Sequence, residues 1–194
     1  EVRNVIRVWL EGQPSVPVVV FVVPNPAPQP EGVQGWSISI GHDRDFMEFD
    51  PDGGQPTTDG TDAEEIFSGG FQKTEVTRPR GGGGSPAGGG AEEEPDGFIS
   101  AVVISFTEPR TLDPTRAQSV VRARYRLKEL PGAGGRGGSV SGGARFEDGL
   151  RGSGQPVQNA LTVSGNTVEP LHFVPLEIQR GDFGSAFVRG DANG

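Results

Sequence analysis

Hardly anywhere does this chain place apolar residues three and four apart, and that absence constrains it most. Only Thr61 to Phe67 (TDAEEIF) reads as a helix, with Thr61 as the cap and Glu64 three residues on as in a capping box. Period-two runs are plentiful instead. Val5 to Leu10 sets Ile6, Val8 and Leu10 against Val5, Arg7 and Trp9. Val33 to Ile40 sets Trp36, Ile38 and Ile40 against Ser37 and Ser39. Val16 to Val23 (VPVVVFVV) is apolar on both faces, and Phe46 to Phe49 is short. Phe98 to Thr107 (FISAVVISFT) and Ser119 to Leu130 (SVVRARYRLKEL) are the longest. Gly143 to Phe146, Val157 to Val163 and Val168 to Ile178 follow, broken by Pro or Gly. With turn signals between the runs and no helices alternating with them, the pattern predicts an all-β, antiparallel two-sheet sandwich of about nine strands. The expected core contains Trp36, Ile38, Ile40, Val102, Ile104, Phe106, Ala123 and Tyr125.

Composition sharpens this. Gly (32) and Pro (17) take about a quarter of the 194 residues, but they cluster. Pro24 to Pro30 (PNPAPQP) reads as a stiff extended loop, and Gly81 to Gly90 and Gly132 to Gly143 as long glycine-rich loops. The net charge of −9 argues against nucleic acid, which requires a basic face. Cysteine is absent, which excludes disulfide stapling. The longest apolar run, Val16 to Val23, is too short to span a membrane.

Catalytic signals are thin. His42 and His172 are the only histidines, no Ser sits in a nucleophile elbow, and no glycine motif opens a helix. His42-Asp43-Arg44-Asp45 reads as a polar strand end entering a turn. The chain is therefore expected not to be an enzyme, since a site needs a base, an orienter and a pocket together. Carboxylates are a second candidate. Asp43, Asp45, Asp50 and Asp52 flank one short strand beside Gly53 and Gly54, a composition that suits calcium, although the spacing is not that of an EF-hand. The competing reading is solvated loop charge.

Arg122, Arg124, Arg126 and Lys128 alternate with Val121, Ala123, Tyr125 and Leu127, so four cations share a sheet face about 6.6 Å apart. They either pair with local carboxylates such as Glu108 or Glu129, or form a docking stripe for an acidic surface such as another copy of this chain. Val19, Phe21 and Val23 in the two-faced apolar run need cover from a loop or a partner.

The order VPVVVFVV, VQGWSISIGHD (Val33 to Asp43), FMEFD (Phe46 to Asp50), FISAVVISFTE (Phe98 to Glu108), SVVRARYRLK (Ser119 to Lys128) and GQPVQNALTVSGNTVEP (Gly154 to Pro170) resembles cohesin-type domains over residues 1–178. The two glycine-rich insertions depart from that pattern. The tail FVRGDANG (Phe187 to Gly194) resembles the start of a dockerin-type calcium loop, which makes Asp191 and Asn193 its first ligands, and the loop is incomplete at Gly194. The resemblance implies a cohesin-like jelly roll over residues 1–180, with 181–194 leading into that loop. It implies a non-catalytic protein, extracellular or at the cell surface, that works by protein–protein contact and involves calcium. Its partners are other copies of itself, as in a filament or matrix, or a dockerin-bearing protein. The two-faced strand, the glycine-rich segments and the tail lean towards assembly. A carbohydrate-binding module is the alternative from another class, for which Trp9, Trp36 and Tyr125 are sparse material.

Overall fold

The computed structural model describes residues 7–11, 17–23, 32–50, 52–53, 55–77, 95–128, 140–170, 172–180 and 186–189; for 7–11, 17–23, 140–141, 172, 177–180 and 186–189 the description is of the backbone alone. The loops Pro24 to Pro30 and Gly81 to Gly90, most of Gly132 to Gly143, and the positions of Asp191 and Asn193 lie outside the described residues.

The chain forms an all-β sandwich, as the alternation predicts. Its strands are β1 (Arg7–Glu11), β2 (Pro17–Val23), β3 (Val33–His42), β4 (Met47–Phe49), β5 (Phe71–Val76), β6 (Gly97–Val103), β7 (Gln118–Leu127), β8 (Val140–Phe146), β9 (Ala160–Val163), β10 (Asn166–Val168), β11 (His172–Val174), β12 (Leu176–Arg180) and β13 (Ala186–Arg189), with one short helix, α1 (Asp62–Ile66). One sheet runs β11-β1-β2-β7-β4. In the other, β6 joins β5 to one side of β3. The opposite side of β3 is shared: β9 takes Val33 to Ser37 and β8 takes Ile40 to His42. β10 extends from β9, and β12 and β13 extend from β8. All pairings are antiparallel except β1 with β11.

Thirteen strands are described in place of about nine because the run Val168 to Ile178 corresponds to three, β10 to β12, and because β5 and β13 were not anticipated. The sequence of β5, FQKTEV, alternates without an apolar stripe, so hydropathy carried no signal. β8 starts inside the expected glycine loop. Gly142 belongs there because Phe46 packs against its α-carbon: a Cβ would lie 2.5 Å from the Phe46 ring. Ser164 and Gly165 both have positive φ (50° and 75°), which closes β9 and β10 with a tight two-residue hairpin turn. β13 pairs with β12, which places residues 186–189 in the sheet.

The space between the sheets is filled by Trp36, Ile38, Ile40, Phe98, Val102, Ile104, Val121, Ala123, Tyr125 and Leu161 with their neighbours. Trp36 Nε1 donates to Ser100 Oγ at 3.1 Å, which satisfies the two polar groups that the alternation brings into this apolar space. Phe106 is the exception to the expected core: it is 69% exposed. β6 ends at Val103, and Ser105 Oγ then accepts from the backbone of Thr107 and Glu108, so a side-chain turn ends the strand before Phe106.

Candidate functional site

Among the described residues, four groupings carry side-chain chemistry. The first is His42, at the end of β3. Its ring packs edge-on against Phe49 (5.2 Å) and Tyr125 (5.0 Å), while Phe49 stacks on Tyr125 at 4.4 Å. Tyr125 Oη and His42 Nδ1 are 3.4 Å apart, and His42 Nε2 is buried without a hydrogen-bond partner. Burial pushes the imidazole down to about 4, opposed by Asp96 and reinforced by Lys128 and Arg44. Burial also drives the Tyr125 phenol well above its usual value. This is a neutral histidine in an aromatic wall, and Asp43 to Asp45 after it form the polar strand end entering a turn that the sequence predicts. Only the alternation of β3, which carries its buried face on to residue 42, could have signalled the burial of His42.

The second grouping is the set of aspartates. Asp43 Oδ1 accepts from Asp45 N at 3.1 Å, and Asp50 Oδ1 accepts from Asp52 N at 3.2 Å. Each carboxylate closes its own local turn. Among the described residues, no three His, Cys, Asp or Glu side chains gather as a cation would require. Asp62 does more structural work: its carboxylate accepts from Ser119 N (2.8 Å) and Ser119 Oγ (2.6 Å), which tie α1 to β7 and hold the acid below its usual range, with Arg116 adding to that effect. Thr61 does not cap α1 through its side chain. Its hydroxyl donates to Thr58 O, and Glu64 accepts from Gly60 N, one residue earlier than a capping box requires.

The third is the cationic stripe of β7. Arg126 pairs with Asp50 at 3.0 Å and reaches Asp52 at 4.0 Å; Lys128 lies 4.0 Å from Glu48. Glu108 pairs with Arg110 instead, and Glu129 lies outside the described residues. Arg122 and Arg124 lie against Gly60 and Gly53. The stripe and the aspartates, two separate candidates in the sequence, are thus brought together through Arg126. β2 runs beside the stripe, with Val19 in register with Arg122 and Phe21 with Ser119. β2 is paired on one side with β1 and on the other with β7, so Val19 and Phe21 do not lie on an open strand edge, while Val23 is paired with Arg7 of β1 alone.

The fourth is a strap, residues 147–159, which the sequence did not reveal. It crosses the outward face of β3, β6 and β5. Glu147 N donates to Ser39 O at 3.0 Å, Ser39 N to Asn159 Oδ1 at 2.8 Å, and Ser37 Oγ to Gln158 O at 2.8 Å. At the far side, Glu75 accepts from Ser153 N and Oγ, and Lys73 Nζ donates to Ser153 Oγ, each at 2.8 Å. Ile99 stands between Ser39 and Glu75 in the same cross-strand row. It is 3% exposed, and Leu150 of the strap is 2% exposed, yet neither belongs to the central cluster.

No family model matches this chain, and no curated protein does. Among solved structures, it is similar to a chain of a type I cohesin–dockerin complex from Clostridium thermocellum. The match has a TM-score of 0.53 at 9% identity and covers 91% of this chain and 95% of the other. The likeness establishes a cohesin-like sandwich as the fold. No helix among the described residues is long and apolar enough to cross a membrane.

Proposed function

We propose that the chain acts without catalysis, outside the cell or on its surface, as a subunit of a protein assembly such as a filament or matrix. The observation that carries this reading is the end-to-end likeness to a chain from a complex of interacting modules. In this reading one contact is the sheet face where register sets Val19 beside Arg122 and Phe21 beside Ser119. A calcium loop begun at Asp191 and Asn193 would, where further residues complete it, make the assembly dependent on that ion. The test is particle size by light scattering with and without a chelator, on the native protein and on Phe21→Asp. The expected result is native particles that shrink with chelator and a folded variant that stays monomeric. Native protein that is monomeric at high concentration refutes the reading.

A second reading, a receptor for a dockerin-type module, draws on the same similarity. Titrating such a module with calcium into the chain distinguishes the two. A saturable one-to-one complex formed by an otherwise monomeric chain favours the receptor.

A further inference from the structure

The edges of a sandwich are its natural points of association. Among the described residues five strands occupy edges: β4, β10 and β11 have three residues each, β13 has four, and β5 has six. β5 pairs with β6 alone among the described strands, and its Phe71 is 46% exposed.

The ladder determines which groups of β5 point outward. Thr77 N donates to Gly97 O at 2.9 Å, and the register continues as Glu75 with Ile99, Lys73 with Ala101 and Phe71 with Val103. Antiparallel partners alternate between hydrogen-bonded and non-hydrogen-bonded pairs. The odd residues therefore bond inward to β6, while the N–H and C=O of Gln72, Thr74 and Val76 point away from the sheet.

A second strand meets those groups only if its own even residues face them. Antiparallel pairing of two β5 strands does this in a few registers, and charge selects among them. Centring the pair on Thr74 places Lys73 of each copy opposite Glu75 of the other, in the non-hydrogen-bonded positions where side chains approach most closely. The next allowed register on one side sets Lys73 against Lys73, and on the other side Glu75 against Glu75. Charged edges ordinarily repel another copy; this edge repels in the neighbouring registers and attracts in the central one. Lys73 and Glu75 lie 2.9 Å apart and are both held by Ser153, so less side-chain freedom is lost on pairing.

We propose that β5 is a self-association edge, at which two copies of this chain pair β5 with β5 antiparallel about a two-fold axis at Thr74. The proposal rests on the reading of the chain as an assembly subunit and names a surface distinct from the β2–β7 face. A two-fold contact closes a dimer, so a growing filament uses both surfaces.

Sedimentation of the native protein and of K73E and E75K tests it. The native chain is expected to associate as dimers or multiples of dimers, and each variant to lose that dimer step. K73E mixed with E75K in equal amounts is expected to recover the dimer step, because every cross-strand pair is then again opposite in charge. Thr74→Pro, which removes an N–H that β6 does not use, covers the case in which a charge variant loses its near-ultraviolet dichroism; it is expected to stay folded and fail to pair. Association unchanged in K73E, E75K or Thr74→Pro, or a mixture that stays monomeric, overturns the β5 edge and leaves the assembly reading standing. A monomeric native protein overturns both.

Discussion

The two faces of β6 are buried by different means. Inward, Phe98 and Val102 meet the apolar side chains of the central cluster, with Ser100 bonded to Trp36. Outward, Ile99 is buried beneath a strap held mainly by hydrogen bonds and by the carboxylate of Glu75. The inner face relies on area removed from water and on close packing, the outer on hydrogen bonds from the strap that still leave the Ser39 and Thr77 hydroxyls buried without a partner. A run that is apolar on both faces, such as FISAVVIS, therefore does not require a partner molecule, because the same chain can return to cover it.

The contrast is tested most strongly by Phe98→Ala. A large fully buried aromatic is removed from a rigid surround, so the loss is expected to be about 3–5 kcal/mol, measured by denaturant unfolding. A cost below about 1 kcal/mol would show that the inner face is not the dominant core.

Acid probes the third kind of burial, the His42 pocket. The folded imidazole titrates at about 4 and an unfolded one near 6.5. Between those values the unfolded chain binds the extra proton, so this contribution is complete above about pH 6.5 and is lost as pH falls through 4. Its ceiling is roughly 3 kcal/mol. His42→Phe is expected to flatten the stability profile in that window and to cost about 1–3 kcal/mol at pH 7, because it removes an unpartnered buried nitrogen but also takes the His42 Nδ1 partner from the buried Tyr125 hydroxyl. A profile that keeps its slope would place the acid sensitivity elsewhere.

Leu150→Ala is expected to cost about 2 kcal/mol, towards the low end for its class, because the strap can settle onto Ile99. Hydrogen exchange sharpens the comparison: the amides of Ser153 and Asn159 are expected to lose protection while those of β3 and β6 keep theirs. Equal loss everywhere would merge strap and core into one unit. Smallest is Arg126→Ala, an exposed pair with Asp50, expected to change stability by under about 1 kcal/mol in a salt-dependent way.

The inner face was legible in the sequence and the outer face was not. Trp36, Ile38 and Ile40 announce themselves by alternation, and all three are buried. Ser37 and Ser39 were correctly assigned to the opposite face, but Ser39 is fully buried because Asn159, 120 residues away, bonds to its backbone. Such a contact leaves no periodic trace. Phe106 misled for a related reason: its apolar character continues the strand pattern, while the hydroxyl of Ser105 ends it. In the Arg stripe, the alternation gave the face but not the partners. Asp50 reaches Arg126 because β4 lies beside β7, a fact of topology.

The parallel pairing of β1 with β11 has a consequence during synthesis. Arg7 finds its partner His172 only after all the residues between them have been made. At about 5–20 residues per second, β1 waits on the order of ten seconds with one edge unoccupied. Because a long loop must close before that pairing forms, closure of the five-stranded sheet is expected to fall late. During that interval the nascent chain is most open to capture by a chaperone or by a neighbouring copy emerging from the same messenger.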